Sequence, residues 1–311
     1  MKILFYTPHA VAKLPPAAYA IGNFDGVHKG HRAVFDQTQA LANAQQWPWG
    51  VITFEPHPRA VLSGFQRRLT PFPQKMAYLE SLGVGHVCVI PFDVPFAQTS
   101  PDVFVSQILH QFCQAQAIVV GQDFHFGPER RANVMDLKAL CKPLGIQVQE
   151  ATLIADGEGR VIMSRRIVET LQKGEITEAA HMLGRPYGVS GLVIQGDQRG
   201  RQLGFPTANL LTRHFILPHR GVYAVTVILG KRTFQGVANI GIRPTFSLTE
   251  EIVEVHIFDF DETIYGETLE VRFGVFLRSE KKFENIPALI AQIHHDCKQA
   301  KALLALKEGA L

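Results

Sequence analysis

At 311 residues the chain is longer than one ordinary domain and has material for two hydrophobic cores. Its hydrophobic fraction of 46% and charged fraction of 19% are those of a globular protein. Its 31 basic and 28 acidic side chains leave a net charge of +3, too small to imply a nucleic-acid or membrane surface.

Cys88, Cys113, Cys141 and Cys297 are scattered and read as reduced thiols of a cytoplasmic protein. The apolar run over residues 3–6 is too short for a signal peptide, and no segment is long enough to span a bilayer. Residues 1–18 are weakly patterned and read as an irregular arm beside the first strand. Residues 20–24 (AIGNF) close on Gly22-Asn23, the pattern of a buried strand ending in a turn. From His31 onward, Val34, Thr38 and Leu41 recur at helical spacing. Gly22, Gly26 and Gly30 thus fall where a strand hands over to a helix. Open α/β sheets bind ligands there, and a helix N-terminus attracts anions. His28 and His31 add two donors three residues apart; the same residues also fit a glycine-rich turn with two solvated histidines. Residues 50–54 form a second strand running into Glu55-Pro56-His57-Pro58-Arg59, where two prolines forbid a helix. A helix over 75–82, a strand over 86–91, a helix from Pro101 to Cys113 and a strand over 117–121 follow. The last of these leads into Gln122-Asp123-Phe124-His125-Phe126-Gly127. Strands alternating with helices predict an α/β, doubly wound parallel sheet. Residues 147–162 read as a strand pair turning at Asp156-Gly157, and Ser164 caps a helix that stops at Gly174.

Gly184 and Pro186 break the pattern and divide the chain into domains 1–183 and 184–311. Residues 189–195, 221–229, 233–240, 252–260 and 270–276 are rich in Val, Ile, Phe and Tyr. Five or six strands in about 90 residues predict a small antiparallel β-barrel. Residues 286–306 form an amphipathic C-terminal helix, with Leu289, Ile290, Ile293, Ala300, Leu303 and Leu304 inward, that caps the barrel. The stretch from Gly196 through Arg201, Gly204 and Thr207 to Asn209 is a glycine-rich, arginine-containing loop followed by a hydroxyl and an amide. It suits a nucleoside triphosphate with Mg²⁺, whose shell the Thr207 and Asn209 oxygens fit beside the phosphates. The Gly-Lys-Ser/Thr ending of a Walker A loop is absent. Glu254 and His256 share one face of a strand while Val253 and Val255 take the other, so the polar pair either lines a site or is solvated.

GNFDGVHKGH (22–31) resembles the signature of the nucleotidyltransferases that end bacterial flavin synthesis, and GQDFHFG (121–127) resembles their second fingerprint. GFPTAN (204–209) resembles the riboflavin kinase signature, joined by Gly221-Val222-Tyr223, GVANIGIRPTF (236–246), Glu254-Val255-His256 and Tyr265-Gly266. From Tyr19 to Leu304 the chain resembles the bifunctional riboflavin kinase/FAD synthetase family. The resemblance implies a first domain of nucleotidyltransferase fold that transfers AMP from ATP to FMN, giving FAD and pyrophosphate. It implies a barrel that phosphorylates riboflavin to FMN with ATP and Mg²⁺. Glu254 is then the base for the riboflavin 5′-hydroxyl, and His28 and His31 neutralise charge on the phosphates. Gly22, Phe24, Asp25, Gly26, Gly30, Ser164 and Arg166 bind ATP in the first domain, and Gly196, Arg201, Gly204 and Thr207 in the second. Asn23, Asp123, Phe124, Phe126 and Arg243 contact flavin, while Thr207 and Asn209 hold the metal. Riboflavin, FMN and ATP are the expected partners, with neither nucleic acid nor membrane.

Where family members carry Ser-Ser-Thr-x-Ile-Arg, this chain has Met163, Ser164, Arg165, Arg166, Ile167 and Val168, so only Ser164 and Ile167 keep the pattern. Arg165 or Arg166 is the candidate replacement for the lost cation. His125 stands where the family has Arg. A kinase with a degenerate first domain and a flavin-binding protein without turnover are the alternatives.

Overall fold

Strands that are apolar on both faces require a sheet covered twice, and the N-terminal half is built that way. The computed structural model describes residues 1–7, 14–196, 199–244 and 249–308, and the chain divides into two units, Met1–Ser164 and Arg165–Leu311. Among the described residues the first unit has a six-stranded sheet. Its strands are β1 (Lys2–Phe5), β2 (Ala17–Ile21), β3 (Trp49–Glu55), β4 (His86–Pro91), β5 (Ala115–Gly121) and β6 (Gln147–Ala151). They lie in the order β1-β4-β3-β2-β5-β6, all parallel. Ala17, Tyr19 and Ile21 enter one core, Ala18 and Ala20 the other.

The helices of this unit are α1 (Lys29–Ala44), α2 (Pro58–Ser63), α3 (Phe72–Ser81), α4 (Val94–Ala97), α5 (Pro101–Val103) and α6 (Val134–Cys141). α5 continues as a wide π-type helix, Phe104–Phe112. α1 and α3 cover one face through Val34, Phe35, Met76 and Leu79. Phe104, Leu109 and Leu137 cover the other. The doubly wound sheet expected from the alternation is thus present. Strand order reverses at β2, which has β3 on one side and β5 on the other. The loops after β2 and β5 therefore flank a crevice at the switch point, where open α/β sheets bind ligands.

Two local expectations are corrected. Residues 2–5 are not an irregular arm but an edge strand, with Lys2 in register with His86 of β4. Their exposure, with Phe5 54% accessible, erases the alternation that marks a half-buried strand. The first sequence-read strand begins earlier, at Ala17, and leaves Gly22–Phe24 to the turn. Residues 147–162 pair less than expected: β6 stops at Ala151, and the rest holds a bridge between Ala155 and Val161.

α7 (Ser164–Gln172) starts at the last residue of the first unit and lies otherwise in the second, where α8 (Ile176–Leu183), β7 (Gly188–Ile194), α9 (Arg199–Gln202) and β8 (Ala208–Leu211) follow. β9 (Gly221–Leu229), β10 (Arg232–Pro244), β11 (Thr249–Ile257), β12 (Thr268–Arg278) and α10 (Ile286–Glu308) complete it. Its strands close a barrel in the order β10-β11-β8-β7-β12-β9, every pair antiparallel. Val225, Val227, Ala238, Ile240, Val253 and Val255 alternate into its interior and are fully buried. β8, absent from the sequence reading by name, is the sixth strand. Residues 165–183, expected with the first domain, group here: His219 N donates to Leu171 O at 2.8 Å, and α8 packs on β12.

α10 does not cap an end of the barrel. Ala300 and Leu304 pack on Val222, Ala224 and Val237, which alternate outward from β9 and β10. The interior of a small barrel is filled by its own side chains, so the helix covers apolar residues left on the outer wall. A buried ion pair anchors it: Arg278 Nη2 and Nε lie 2.8 and 2.9 Å from Oδ2 of Asp296, itself 2% exposed.

Candidate functional site

The first site is built on the turn from Gly22 to His28. Phe24, Gly26 and Val27 all have positive φ, at 51, 95 and 42°. For a β-branched residue such as Val27 this is a strained conformation. The turn is held on several sides. Asp25 accepts from Thr70 N at 2.9 Å and Leu69 N at 3.3 Å, and Gly26 N donates to Thr70 Oγ1 at 2.8 Å. Burial pushes the Asp25 carboxyl up, and the two backbone donors partly offset this. Ser164, the last residue of the first unit, donates its Oγ proton to the Asp25 carbonyl at 2.8 Å. The Phe24 ring is buried against Phe35 and His31, so this residue meets the crevice with backbone.

α1 begins with a reciprocal cap. His28 Nδ1 accepts from His31 N at 3.2 Å, and His28 N donates to His31 Nδ1 at 3.4 Å. The two rings stack with centroids 3.5 Å apart. Because both Nδ1 atoms accept, the neutral rings carry their protons on Nε2. A Cβ on Gly30 would lie 2.8 Å from Ile162 O and 3.1 Å from the His28 ring, so glycine there lets three segments meet.

Beneath the turn, Thr53 Oγ1 donates to Asn23 O at 3.3 Å and Lys75 Nζ to the same oxygen at 3.3 Å. The Asn23 Oδ1 atom is buried without a hydrogen-bond partner. Nearby, His57 caps α2 by accepting from Arg59 N at 3.1 Å. Burial first, then Arg68, Lys75 and Arg59, depress its imidazole to about 3. After β5, Asp123 and His125 are exposed and Phe124 is half-buried. Phe126 is a core residue against Phe104, and its ring stacks on Phe124 at 5.5 Å. Arg165 pairs with Glu169 at 2.9 Å and Arg166 with Glu178 at 3.2 Å, so each candidate replacement cation has a carboxylate on its own unit.

In the barrel unit, register brings the second group together. Asn209 of β8 stands opposite Glu254 of β11, which stands opposite Asn239 of β10. Directly opposed residues share a face, so the three form one polar row on the outer wall. Asn209 is 5% exposed, and a Cβ on Gly196 would overlap its amide. Gly200 is equally tight against Phe205 O, and Gly204 has φ 86°. His256 Nδ1 lies 2.9 Å from Pro206 O, while the Phe205 ring packs edge-on to His256 and to His294 of α10. The turn that carries Thr207 is thereby braced by β11 and α10 together. At the mouth of the barrel a cavity of about 270 Å³ is lined by Val193, Arg201, Thr207, Val255, Ile257 and the 260–265 loop. The Arg243 side chain lies outside the described residues, as do Asp197, Gln198, Thr245 and Phe246 of the motifs.

Sequence reasoning missed Lys75, Thr53 and Asn239. Lys75 precedes Leu79 by one helical turn on the buried face of α3, and a lysine at an apolar-periodic position is the signal that points to it.

The FAD synthetase family profile matches residues 11–166, and the riboflavin kinase profile matches residues 183–304. Proteins named bifunctional riboflavin kinase/FMN adenylyltransferase from Haemophilus influenzae and Escherichia coli are 39% and 35% identical over 93% of this chain, covering 94% and 93% of their own lengths. A crystal structure described as a macrolide-efflux protein from Streptococcus pneumoniae has a TM-score of 0.84 at 29% identity, covering 95% of this chain and 97% of that one. Among the described residues of this chain, no helix is long and apolar enough to cross a membrane. One profile falls on the unit with the histidine-capped turn and the other on the unit with the polar row. The chain belongs to the bifunctional riboflavin kinase/FMN adenylyltransferase family.

Proposed function

We propose that the barrel unit phosphorylates riboflavin to FMN through Glu254 and that the first unit joins FMN to AMP at the His28/His31 turn, with ATP the donor in both steps. The kinase half rests on the row Asn209–Glu254–Asn239 beside Thr207. On this reading the base of ATP enters the cavity walled by Val193, Val255 and Ile257, and its phosphates run past Arg201 and Thr207. Glu254 accepts the proton of the riboflavin 5′-hydroxyl. That oxygen bonds to the γ-phosphorus, the bond to the bridging oxygen of ADP breaks, and ADP leaves. Thr207 and Asn209 offer hard, neutral oxygens of the kind Mg²⁺ takes while keeping water and phosphate ligands. The Asn209 amide is already immobilised against Gly196, which supports that fit. Bound there, Mg²⁺ would neutralise charge on the transferring phosphoryl group.

In the first unit a phosphate oxygen of FMN attacks the α-phosphorus of ATP and the bond to pyrophosphate breaks, with no covalent enzyme intermediate. The Nε2–H donors of His28 and His31, with the amides opening α1, meet the charge on the phosphates. Asn23, Asp123 and the half-buried Phe124 hold the flavin; Phe126 supports Phe124 from the core. The riboflavin kinase profile, opening at residue 183, supports a catalytic domain over 184–311. Cys88, Cys113, Cys141 and Cys297 are free thiols, which supports a cytoplasmic enzyme.

Incubation with riboflavin, ATP and Mg²⁺, followed by chromatographic separation of flavins, tests both halves. FMN appears first, then FAD with an equal amount of pyrophosphate. Unchanged riboflavin would reject the kinase assignment, and FMN without FAD over many turnovers would leave a kinase alone.

A further inference from the structure

Lysine is almost never fully buried without a partner, and a cation in the first turn of a helix opposes the helix dipole. Lys75 is both buried and so placed. It is 3% exposed and stands in the first turn of α3, its backbone N–H bonded to Pro71 O. Departures from local rules of this kind gather at functional sites.

What holds the lysine there is at its tip. Nζ donates to Thr53 Oγ1 at 3.1 Å and to the Asn23 carbonyl at 3.3 Å, and lies 3.9 Å from Glu55 Oε2. The side chain therefore ties the C-terminal ends of β2 and β3 together where the glycine turn leaves the sheet. The charged groups that face it are Glu55 at the end of β3, Asp25 on the turn and Arg68 from the segment before α3. The Phe72 ring of its own helix lies 5.8 Å from Nζ. With the Asn23 carbonyl held from below, the Asn23 side chain keeps a buried Oδ1 that no protein donor satisfies.

We propose that Lys75 is a positioning residue for adenylyl transfer, its ammonium pinning the Asn23 carbonyl and thereby fixing the turn that presents Asn23 and the two histidines to substrate. The inference rests on the reading of the first unit as the FMN adenylyltransferase. Burial pushes the Lys75 ammonium below the usual lysine range, and Glu55 and Asp25 partly restore it. The charged form is therefore present below that lowered value and lost as pH rises through it.

The test measures FAD from FMN and FMN from riboflavin in the same preparations of full-length protein, across alkaline pH. In the wild type, FAD formation should fall at a pH below the ordinary lysine range. Lys75→Met should slow FAD formation at least tenfold through kcat, leave FMN formation unchanged and lose that alkaline fall. Glu55→Gln, which removes the carboxylate that supports the ammonium, should move the fall to lower pH and keep the turn intact. Wild-type kcat in Lys75→Met, or an alkaline fall that Glu55→Gln leaves in place, would overturn the inference even where the methionine variant folds poorly. No FAD from the wild type would reject the underlying reading, and the inference with it. FAD from the wild type beside a normal Lys75→Met rejects the inference alone.

Discussion

Glu254 stands in register between Asn209 and Asn239 on the neighbouring strands. Glu254→Gln keeps size and removes the proposed base. The kcat for FMN formation should fall by about 10²–10⁴, with the KM for ATP little changed; an effect confined to KM would argue against the role. Thr207→Ala removes one hydroxyl beside the cavity and should lower the same rate by about 10²–10³, whereas wild-type turnover would remove Thr207 from the proposed metal shell. It is a cleaner probe than Asn209→Asp, because Asn209 is wedged against Gly196 and a buried charge there disturbs packing as well. His57 carries a stability prediction. Its imidazole sits at about 3 in the fold against an ordinary 6.5, so between those values the folded protein binds fewer protons than the unfolded chain. Stability must then drop as pH is lowered through that window. Urea midpoints of the first unit should decline from pH 6.5 toward 3, and less steeply in His57→Gln.

At the scale of elements, the residues that cap α1 are also the proposed phosphate donors. His31→Ala breaks half of the reciprocal cap, a loss of about 0.5–2 kcal/mol. It also removes a proposed phosphate donor, worth about one to two decades in FAD formation. His31→Gln separates the two, since glutamine is a natural third-position partner in a capping box. Thermal stability should recover in that variant while FAD formation stays low; recovery of both would reduce His31 to a structural cap. FMN formation should be unaffected in either.

The glycine turn was legible in the sequence because Gly22, Gly26 and Gly30 fall at a strand-to-helix junction, and the sheet because its inner strands are apolar on both faces. β1 was not, since an exposed edge strand of four residues has no periodicity to read. For α10, amphipathic spacing reports that a face is buried and not which surface buries it, so the outer wall was mistaken for an end. Of the candidate site, Glu254 and Asn209 were visible as polar residues in motifs. Their alignment with Asn239 depends on strand register, which is set by residues far apart in the chain.

For the whole molecule, the two units raise the question of what belongs to which. Leu171, Ile176, Ala179, Met182 and Leu183 are all buried, and α8 packs on β12. A fragment of residues 165–311 should therefore melt well above one of residues 186–311, because each large apolar side chain left uncovered costs about 1.5–3 kcal/mol. Both fragments should retain FMN formation, the polar row and cavity being common to them. Equal melting temperatures would show that α7 and α8 contribute nothing to the barrel's stability.

The barrel is closed by pairing its first strand with its last: Val189 of β7 meets Val271 of β12. On the ribosome this sets a timetable. Synthesis at roughly 5–20 residues per second leaves the second unit emerging for roughly 7–30 s, ample time for the first to fold alone. Until β12 is exposed, β7 and β9 each keep an unpaired edge, open to mispairing with other chains. A ribosome stalled before β12 would release a protein with the adenylyltransferase fold complete and the kinase barrel still open.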